Sequence, residues 1–405
     1  MLGDAFKQAG ISSKDFKKKK NIQKEKPKQV TKTKEIVQKS TIKFKKDGIL
    51  KLKLTAISPL HIGSGEVYEP TNFVIDGNIL YHFKDEDFFL ALDEQQKDSF
   101  MRIIDENRSD SFSRINKFVK DNIEVSKKIA FLKVKTTEAL QKDYNQKIGK
   151  ISQIEGHSGN YTKVFNKFEI QRIQRKQLKS KDFTYSYLGY ITGSSLKGAI
   201  STAYREFIYK NDGKQALEIK FENKDVTKNI FKDLKISDAK VIKIGTKIGY
   251  ACNKERFEDD ETGMSTFIET INPNSEFIVD ISYHNLKMQD ILNSLNEHYI
   301  PIFKSMLLNE TDGKEEFINE YLADSFYEKY KNFIPKENQF LLRVGKHCGA
   351  RAVTIDGLRD ISVKESKYKT LKHQKEETTT WLFGESSNSS TNLLPFGWVL
   401  CEVIE

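Results

Sequence analysis

A glycine turn that opens directly into an amphipathic helix lies in the middle of the chain, in the stretch Leu188-Gly-Tyr-Ile-Thr-Gly-Ser-Ser-Leu-Lys-Gly-Ala-Ile-Ser-Thr-Ala-Tyr-Arg205. Gly189 and Gly193 permit a sharp backbone path, and Ser194 and Ser195 supply hydroxyl groups and N-caps. The first N–H groups of a helix carry the positive end of its dipole, so the junction favours phosphate. The spacing matches neither a P-loop nor a Gly-x-Gly-x-x-Gly fingerprint. An ordinary capped helix remains the alternative.

Short strands and helices alternate before this turn. Ile49–Ser58 alternates apolar and polar residues over the length of one half-buried strand. Phe73–Ile75 and Asn78–Phe83 follow as strands of a hairpin that turns at Gly77. Asp85 is the predicted N-cap of the next helix. This order fits a split βαβ arrangement and does not fit alternating Rossmann units.

The second half of the chain also reads as strands followed by helices. Thr266–Ser282 is predicted to form a hairpin that turns at Asn272-Pro273-Asn274. The remaining predictions are strands at Leu234–Asp238, Val241–Ile248, Phe340–Gly345 and Leu394–Glu402, and helices at about Lys287–Asn296 and Glu315–Lys331. The last strand is expected to bury Phe396 or Trp398.

Three segments carry a family resemblance. They are Ser58-Pro-Leu-His-Ile-Gly-Ser-Gly-Glu66, Ile191-Thr-Gly-Ser-Ser-Leu-Lys-Gly-Ala199 and Leu342-Arg-Val-Gly-Lys-His-Cys-Gly-Ala350. Together they resemble the RAMP superfamily of CRISPR-associated RNA-binding proteins, and the likeness is greatest to the Csm-type subunit that caps the guide-RNA 3′ end of type III-A effector complexes. The resemblance implies an α+β fold of tandem ferredoxin-like, RRM-like (RAMP) modules with helical insertions. The basic N-terminal arm, expected from its composition to be disordered, lies before the family pattern begins.

Length and composition limit the possible classes of protein. With 405 residues and 38% hydrophobic content, the chain is long enough for two or three domains. No apolar run approaches the roughly 18 residues of a membrane span, and the start lacks a signal-peptide core. A cytoplasmic protein with no membrane contact is therefore expected. Cys252, Cys348 and Cys401 are too widely separated for a disulfide framework or a zinc motif.

The positive charge of the chain is concentrated at its start. Residues 1–46 hold 15 lysines against four acidic residues, while the whole chain carries a formal charge of +10. Such an arm is expected to be disordered and to contact phosphates without sequence preference. A solubilising tail is the alternative interpretation.

Three segments are predicted from these patterns and from the resemblance. Residues 1–46 form the lysine-rich arm, residues 47–232 a first RAMP module, and residues 233–405 a second RAMP-like module with a helical insertion. The first module contains a basic and aromatic insertion at residues 141–187. Its rings and cations suit stacking on unpaired bases, although packing of the rings on the domain would produce the same composition.

The candidate RNA-binding residues lie in the three resembled loops. Glycines in such loops let the backbone approach a phosphate–sugar chain closely. The predicted set is His61, Gly63, Ser64, Gly65, Gly193, Ser194, Ser195, Lys197, Arg205, Arg343, Gly345, Lys346, Gly349 and Arg351.

Catalysis has only weak candidates in the sequence. His61 and His347 could shuttle protons for metal-free RNA cleavage, as in the repeat-processing ribonucleases of the resembled superfamily. The loop that holds a target-cutting aspartate in the backbone subunits reads Glu66-Val-Tyr-Glu-Pro-Thr71 here and contains no aspartate. Glu66 and Glu69 alone make a poor Mg²⁺ site. No metal and no cofactor is expected.

The resemblance therefore implies a non-catalytic RNA-binding subunit of a type III CRISPR effector complex, which acts in antiviral defence. It would bind the 3′ part of the guide RNA and cap the backbone filament, as one copy in a hetero-oligomeric complex. The expected partners are single-stranded guide RNA, a neighbouring RAMP backbone subunit and, less directly, target RNA. The alternative is a RAMP-family endoribonuclease that processes the guide or cleaves the target.

Overall fold

A computed structural model describes most of the chain after the basic arm. The described residues are 43–150, 155–158, 161–164, 168–179, 185–221, 229–257, 263–308, 310–311, 314–315, 317–364 and 371–405. The predicted arm therefore lies outside the described residues, except for residues 43–46.

Helices and strands alternate along the described chain. The helices are α1 (Asp85–Ala91), α2 (Glu94–Asp105), α3 (Ser111–Asp121), α4 (Ile123–Ile129), α5 (Glu138–Lys147), α6 (Gly193–Phe221), α7 (Met288–Ser305), α8 (Ile318–Tyr321), α9 (Asp324–Tyr330) and α10 (Gly349–Val353), with a 3-10 turn at Ile230–Asp233. The strands are β1 (Gly48–Ala56), β2 (Gly63–Tyr68), β3 (Phe73–Asp76), β4 (Ile79–His82), β5 (Leu132–Thr136), β6 (Glu155–Ser158), β7 (Tyr161–Val164), β8 (Ile170–Ile173), β9 (Arg175–Lys179), β10 (Tyr185–Gly189), β11 (Leu234–Ile236), β12 (Lys240–Lys243), β13 (Thr246–Glu255), β14 (Ser265–Ile271), β15 (Glu276–Tyr283), β16 (Glu310–Thr311), β17 (Lys314–Glu315), β18 (Gln339–Arg343), β19 (Ile361–Lys364), β20 (Leu371–Gln374), β21 (Thr379–Gly384), β22 (Leu394–Pro395) and β23 (Trp398–Val403).

The first sheet is antiparallel and has β1 near its centre. Its strand order is β11-β15-β1-β23-β18, and β12 also pairs with β15. The alternation predicted for the first strand is confirmed, because Leu52 and Leu54 are buried while Lys51 and Lys53 are partly exposed. Helix α7 packs on this sheet, where Phe303 meets Trp398 with ring centroids 4.8 Å apart. The prediction that the last strand buries Phe396 or Trp398 is confirmed, since both residues are fully buried.

The second sheet has nine strands and combines parallel and antiparallel pairs. Its order is β2-β8-β14-β13-β5-β4-β3, with β21 paired to β13 and β22. The predicted hairpin between β3 and β4 is confirmed, and Gly77 and Asn78 turn it with φ of 56° and 60°. Such left-handed pairs match the twist of the flanking strands. Helices α1–α5 cover this sheet around a core that includes Phe73, Phe83 and Phe168.

The predicted hairpin at Thr266–Ser282 is wrong. Strands β14 and β15 exist, but β14 pairs with β13 and β8 in the second sheet, while β15 pairs with β1 in the first. The backbone N–H of Asn272 donates to Gly245 O and that of Asn274 donates to Ala56 O, so the turn residues bind strands of both sheets. The segment therefore crosses between sheets, because β14 pairs back with the preceding strand β13 while β15 pairs with the distant strand β1.

Several element boundaries also differ from the predictions. Lys84 occupies the N-cap of α1, so Asp85 is the first helical residue instead of the cap. Helix α7 continues nine residues past the predicted end at Asn296. The helix predicted at Glu315–Lys331 is divided into α8 and α9.

The α+β class with helical insertions, predicted from the sequence, is confirmed by these elements. Both sheets take strands from either side of residue 232, and the boundaries at 47–232 and 233–405 stay a prediction. No described helix is long and apolar enough to cross a membrane.

A buried carboxylate joins three strands of the second sheet. Glu269 on β14 is fully buried and forms an ion pair with Arg175, whose side chain is 9% exposed. The same carboxylate accepts hydrogen bonds from the Tyr68 hydroxyl at 3.1 Å and from the Ile173 N–H at 3.2 Å. A buried charge is tolerated only when it is paired and hydrogen-bonded in this way. The network therefore depends on every one of its members.

Removing the charge of Glu269 should destabilise the protein strongly. The isosteric substitution Glu269→Gln leaves the Arg175 guanidinium buried without its counter-charge, which costs about 3–5 kcal/mol. Chemical denaturation of the two proteins measures the difference. The matched control is Glu66→Gln, because Glu66 pairs with Arg172 of the same region at 2.9 Å but is 66% exposed. We expect the control to cost less than about 1 kcal/mol, and equal losses would contradict the buried-pair argument.

Candidate functional site

Three loops that are distant in sequence converge on one open groove. The groove has a volume of about 560 Å³ and is lined by residues of β2, α6, the loop after β18 and α10. Six of the predicted RNA-binding residues line it: Gly63, Ser194, Ser195, Arg343, Gly345 and Lys346. The structure thus brings together residues from all three of the segments that carry the family resemblance.

The His61 loop and the Gly345 loop are joined through their backbones. The Lys346 N–H donates to His61 O at 2.9 Å, which seats one loop on the other. Gly345 has a φ of 92°, and a Cβ built on it would lie 2.5 Å from His61 O. Only glycine fits this position, for both its backbone conformation and the lack of space. The close approach leaves the backbone of this loop at the groove surface.

His61 anchors its loop and does not face solvent. The side chain is 2% exposed, and its Nδ1 lies 2.7 Å from Glu269 O. Burial lowers the pKa of His61 to about 4, so the ring is neutral at physiological pH. Its contact with the backbone of Glu269 ties the loop to the buried ion-pair network of β14.

The start of helix α6 forms one wall of the groove. The Gly193 N–H donates to Asp238 Oδ1 at 2.9 Å, and a Cβ on Gly193 would lie 2.3 Å from Ile236 O. Thr192 Oγ1 accepts from the Ser195 N–H at 3.3 Å, as an N-cap side chain does. The capping hydroxyl is thus Thr192, and the prediction that Ser194 and Ser195 are the caps is wrong. Part of the helix N-terminus is already satisfied by the Asp238 carboxylate.

Two cationic side chains line the groove, one on the last residue of β18 and one in the loop that follows it. Lys346 is exposed and donates through Nζ to Gln171 Oε1 at 2.6 Å. Arg343 is 3% exposed, donates through Nε to Phe396 O at 2.9 Å, and places its guanidinium 4.9 Å from the ring centroid of Trp398. Burial lowers the pKa of Arg343, and its Nη2 has no hydrogen-bond partner among the described residues. Positive charge therefore lies both beside and beneath the groove.

Buried Tyr299 of α7 connects two walls of the groove. Its hydroxyl donates to Ala199 O of α6 at 3.0 Å and lies 3.4 Å from Ala352 O of α10. Ala199 and Ala352 both line the groove. The width of the groove on this side is therefore set by packing around one tyrosine hydroxyl.

Four other predicted residues are engaged near the groove or on its helix. Ser64 donates to Arg172 O at 3.3 Å, and Gly65 lies on the exposed part of β2 with a φ of 83°. Lys197 donates to Leu234 O at 2.7 Å, which directs it to the edge of the first sheet. Arg205 lies near the middle of α6. Its guanidinium is 5.4 Å from the ring centroid of Phe221, which is the last residue of the same helix.

The last two predicted residues face away from the groove. A Cβ on Gly349 would lie 2.7 Å from Glu377 Oε2, and Arg351 donates to Ser305 Oγ at 3.0 Å. Glu377 also accepts from the Ala350 N–H at 2.6 Å and pairs with buried Arg256 at 3.0 Å. In this structure Gly349 begins the short helix α10.

The catalytic candidates have environments that suppress acid–base chemistry near neutral pH. His347 packs against Trp381 and Phe396 with centroids 4.7 and 5.1 Å away, and burial lowers its pKa to about 3. Efficient general catalysis favours a pKa near the working pH. Glu66 is held by Arg172. Within the described ranges, no cluster of three or more metal-ligating side chains occurs.

Several lining residues were missed by the sequence analysis. They include Gln174, Thr192, Thr202, Ala352 and Val353. Gln174 lies between β8 and β9, where its N–H donates to Ile62 O at 2.6 Å. The sequence did offer a signal for two of them, because Thr192 lies in the segment Ile191–Ala199 and Thr202 follows Ser194 and Ser195 at helical spacing. Gln174, Ala352 and Val353 depend on contacts between elements remote in sequence.

Buried neutral histidines should make the stability of the protein pH-dependent. Burial lowers the pKa of His61, His82 and His347 to about 4, 4 and 3, below the ordinary value of 6.5. The unfolded chain then takes up protons first, so stability is full above about pH 6.5 and falls as the pH drops toward 4. Each of these histidines changes the free energy of unfolding by up to about 1.4 kcal/mol per pH unit.

Urea denaturation between about pH 6.5 and 5 measures this slope, in a window where few carboxylates titrate. His347→Asn should give a shallower slope, and asparagine tolerates the φ of 65° at this position. A flat profile of the native protein over this window would contradict the burial of neutral histidines.

Comparisons with known proteins concern the family and the fold of the chain. The family description "RAMP superfamily" matches residues 53–346. A curated relative from Methanocaldococcus jannaschii, "CRISPR system Cms protein Csm5", is 25% identical over 329 residues, which cover 73% of this chain and 70% of the relative.

Solved structures resemble the fold as well. A chain in a cryo-EM structure of a Csm–crRNA–target RNA ternary complex of a type III-A CRISPR-Cas system has a TM-score of 0.54 and 17% identity, covering 87% of this chain and 100% of that chain. The crystal structure of T. onnurineus Csm5 has a TM-score of 0.46 and 15% identity, covering 86% and 99%. The family match spans well over half of the chain and reaches from the first of the three segments into the third, and the chain therefore belongs to the RAMP superfamily.

Proposed function

We propose that this protein is a non-catalytic RNA-binding subunit of a type III CRISPR effector complex. It holds the 3′ part of the guide RNA in the groove and caps the backbone filament. The observation that carries the proposal is the convergence of three sequence-distant loops on one open groove with exposed Lys346 at its rim. The likeness to proteins described as Csm5 and as part of a Csm complex supports the assignment to this kind of complex.

The chemistry of the groove suits an RNA backbone. Glycines at positions 63 and 345 keep side chains away from the surface, so a sugar–phosphate chain can approach the protein backbone. Lys346 supplies a mobile cation for a phosphate, and buried Arg343 adds charge from below. These contacts carry no base specificity, as expected for a guide that differs from one complex to another.

The ribbon of β9 and β10 extends the proposed RNA path. Strand β9 begins directly after the groove residue Gln174, and strand β10 ends shortly before the groove residue Thr192. Tyr185 on β10 is 54% exposed. Lys179 lies 5.9 Å from the centroid of the Tyr185 ring. An exposed ring next to a cation is the combination on which an unpaired base stacks. The tip of this ribbon, residues 180–184, lies outside the described residues.

The proposed partners follow from the same assignment. They are single-stranded guide RNA, a neighbouring RAMP backbone subunit and, at a greater distance, target RNA. One copy of the chain is expected in each hetero-oligomeric complex. The lysine-rich arm would add sequence-independent phosphate contacts that weaken with salt.

Binding is a better proposal than cleavage because of the state of the candidate catalytic groups. His61 and His347 are both neutral near pH 7, and His61 is committed to the Glu269 backbone. Neither supplies the protonated acid that metal-free RNA cleavage needs. The endoribonuclease alternative therefore has no observation in its favour.

Adding one methyl group at Gly345 should weaken RNA binding. Gly345→Ala drives a Cβ against His61 O and separates the two loops, so we expect the affinity for single-stranded RNA to fall at least about tenfold. The matched control is Gly77→Ala, which also has a positive φ but meets no heavy atom within 4 Å. Thermal unfolding first establishes that both variants are folded, and fluorescence anisotropy of the two then compares a Gly→Ala change in the groove with one outside it. Equal affinities would contradict the RNA path through it.

Loss of this subunit should change the guide RNA of the assembled complex. Co-expression with the neighbouring subunits and a guide array, with and without this chain, should yield one copy per complex and altered guide 3′ ends when the chain is absent. Native mass spectrometry and RNA sequencing measure both. Several copies per complex, or guide RNA cut by this chain alone, would reassign it to a backbone subunit or a processing nuclease.

A further inference from the structure

Two hydroxyl groups on the α6 wall of the groove have their hydrogens already used. A third, that of Ser195, keeps its hydrogen, because Thr192 Oγ1 already accepts two hydrogen bonds and donates to Ser195 Oγ at 2.8 Å. Ser194 donates its hydroxyl hydrogen to Thr192 Oγ1 at 3.1 Å, and Thr202 donates to Gly198 O at 3.2 Å. A hydroxyl has one donor and two acceptor lone pairs, so these two side chains offer lone pairs to the groove. We call Ser194 and Thr202 the acceptor wall.

An acceptor wall is a poor site for phosphate. Phosphate oxygens are themselves acceptors, and lone pairs of the wall cannot bond to them. The Asp238 carboxylate, which accepts from the Gly193 N–H, adds negative charge at the same helix terminus. The positive end of the α6 dipole is thus largely neutralised where it would otherwise attract an anion. The matching ligand group for Ser194 and Thr202 is therefore a neutral hydrogen-bond donor.

The phosphate sites of the groove lie on another element. Lys346 follows β18, and two of the three ammonium hydrogens remain after its bond to Gln171. Arg343 lies beside it, nine-tenths buried, with Nη2 unpartnered among the described residues. The groove therefore has a cationic side and a hydroxyl-accepting side, with the small residues Gly198 and Ala199 between Ser194 and Thr202 on the helix.

We infer that the acceptor wall binds ribose 2′-hydroxyl groups and thereby selects RNA over DNA. This inference rests on the proposed function and specifies the chemistry of the same groove. The 2′-hydroxyl is the donor that RNA has and DNA lacks. Ser194 and Thr202 are eight positions apart on α6, about 12 Å along the helix axis, so they address different sugars of the strand. Lys346 and Arg343 contact or attract phosphates and do not distinguish ribose from deoxyribose.

The test uses the full-length chain and three labelled oligouridine-type strands of equal length: RNA, 2′-fluoro RNA and DNA. The 2′-fluoro sugar keeps a substituent of similar size but cannot donate a hydrogen bond. Fluorescence anisotropy at low and high salt separates phosphate contacts, which weaken with salt, from sugar contacts. We expect RNA to bind about tenfold more tightly than 2′-fluoro RNA and DNA, the range for one or two net hydrogen bonds.

Variants of the wall connect the effect to its residues. Ser194→Ala combined with Thr202→Val should lower RNA affinity to that of DNA and leave DNA affinity unchanged. Lys346→Gln should weaken all three ligands equally and reduce the salt dependence by about one phosphate contact. Ser282→Ala, on the exposed face of β15, is the control for hydroxyl loss outside the groove. Thermal unfolding of each variant identifies any that do not fold, and the 2′-fluoro comparison on the native chain needs no variant.

The possible outcomes separate this inference from the proposed function. Equal binding of RNA and 2′-fluoro RNA by the native chain would overturn the inference and leave RNA binding intact. Discrimination that survives in the double variant would also overturn it, because another surface would then read the sugar. Binding of none of the three strands would overturn the proposed function itself.

Discussion

The groove depends on the buried carboxylate of Glu269. Its charge is balanced by Arg175, and its oxygens accept hydrogen bonds from Tyr68 and from the Ile173 backbone. The backbone carbonyl of the same residue lies 2.7 Å from Nδ1 of His61 and fixes that ring. Because His61 is fixed in this way, its own carbonyl is positioned to receive the Lys346 N–H, and the Gly345 loop is seated on it. The strand that carries the desolvated ion pair therefore positions two of the three loops through its backbone, which connects core stability to the groove.

Burial makes the two loop histidines poor acid–base groups near neutral pH. The same desolvation that anchors the two loop histidines lowers their pKa values and keeps them neutral, so their rings serve packing and hydrogen bonding. The third loop is held differently, because the Gly193 N–H at the start of helix α6 donates a hydrogen bond to the Asp238 carboxylate. The groove is thereby divided between cationic and hydroxyl chemistry, which corresponds to the two polar components of a ribonucleotide chain.

Predictions from the sequence were most accurate where local chemistry decides the conformation. The alternation in β1 and the left-handed turn at Gly77 and Asn78 both follow from side-chain period or glycine conformation. The Thr266–Ser282 hairpin failed because an Asn-Pro-Asn turn signals a change of direction and not which strand the chain pairs with next. Asp85 failed as a cap by one position, since the first turn of a helix and its cap favour the same acidic residues.

The sequence by itself determined the α+β class, the family resemblance and the three loops, because glycines and strand periods act over a few residues. It also indicated six of the groove residues, through the composition of those loops. Only the tertiary structure decided that Lys197 points to the sheet edge, that Gly349 and Arg351 face away, and that Thr202, Gln174 and Ala352 complete the groove. The physical reason is that the direction of a side chain and the donor or acceptor it presents depend on partners such as Leu234 O, Glu377 and Gly198 O. These are set by long-range packing and hydrogen bonding, which no local pattern encodes.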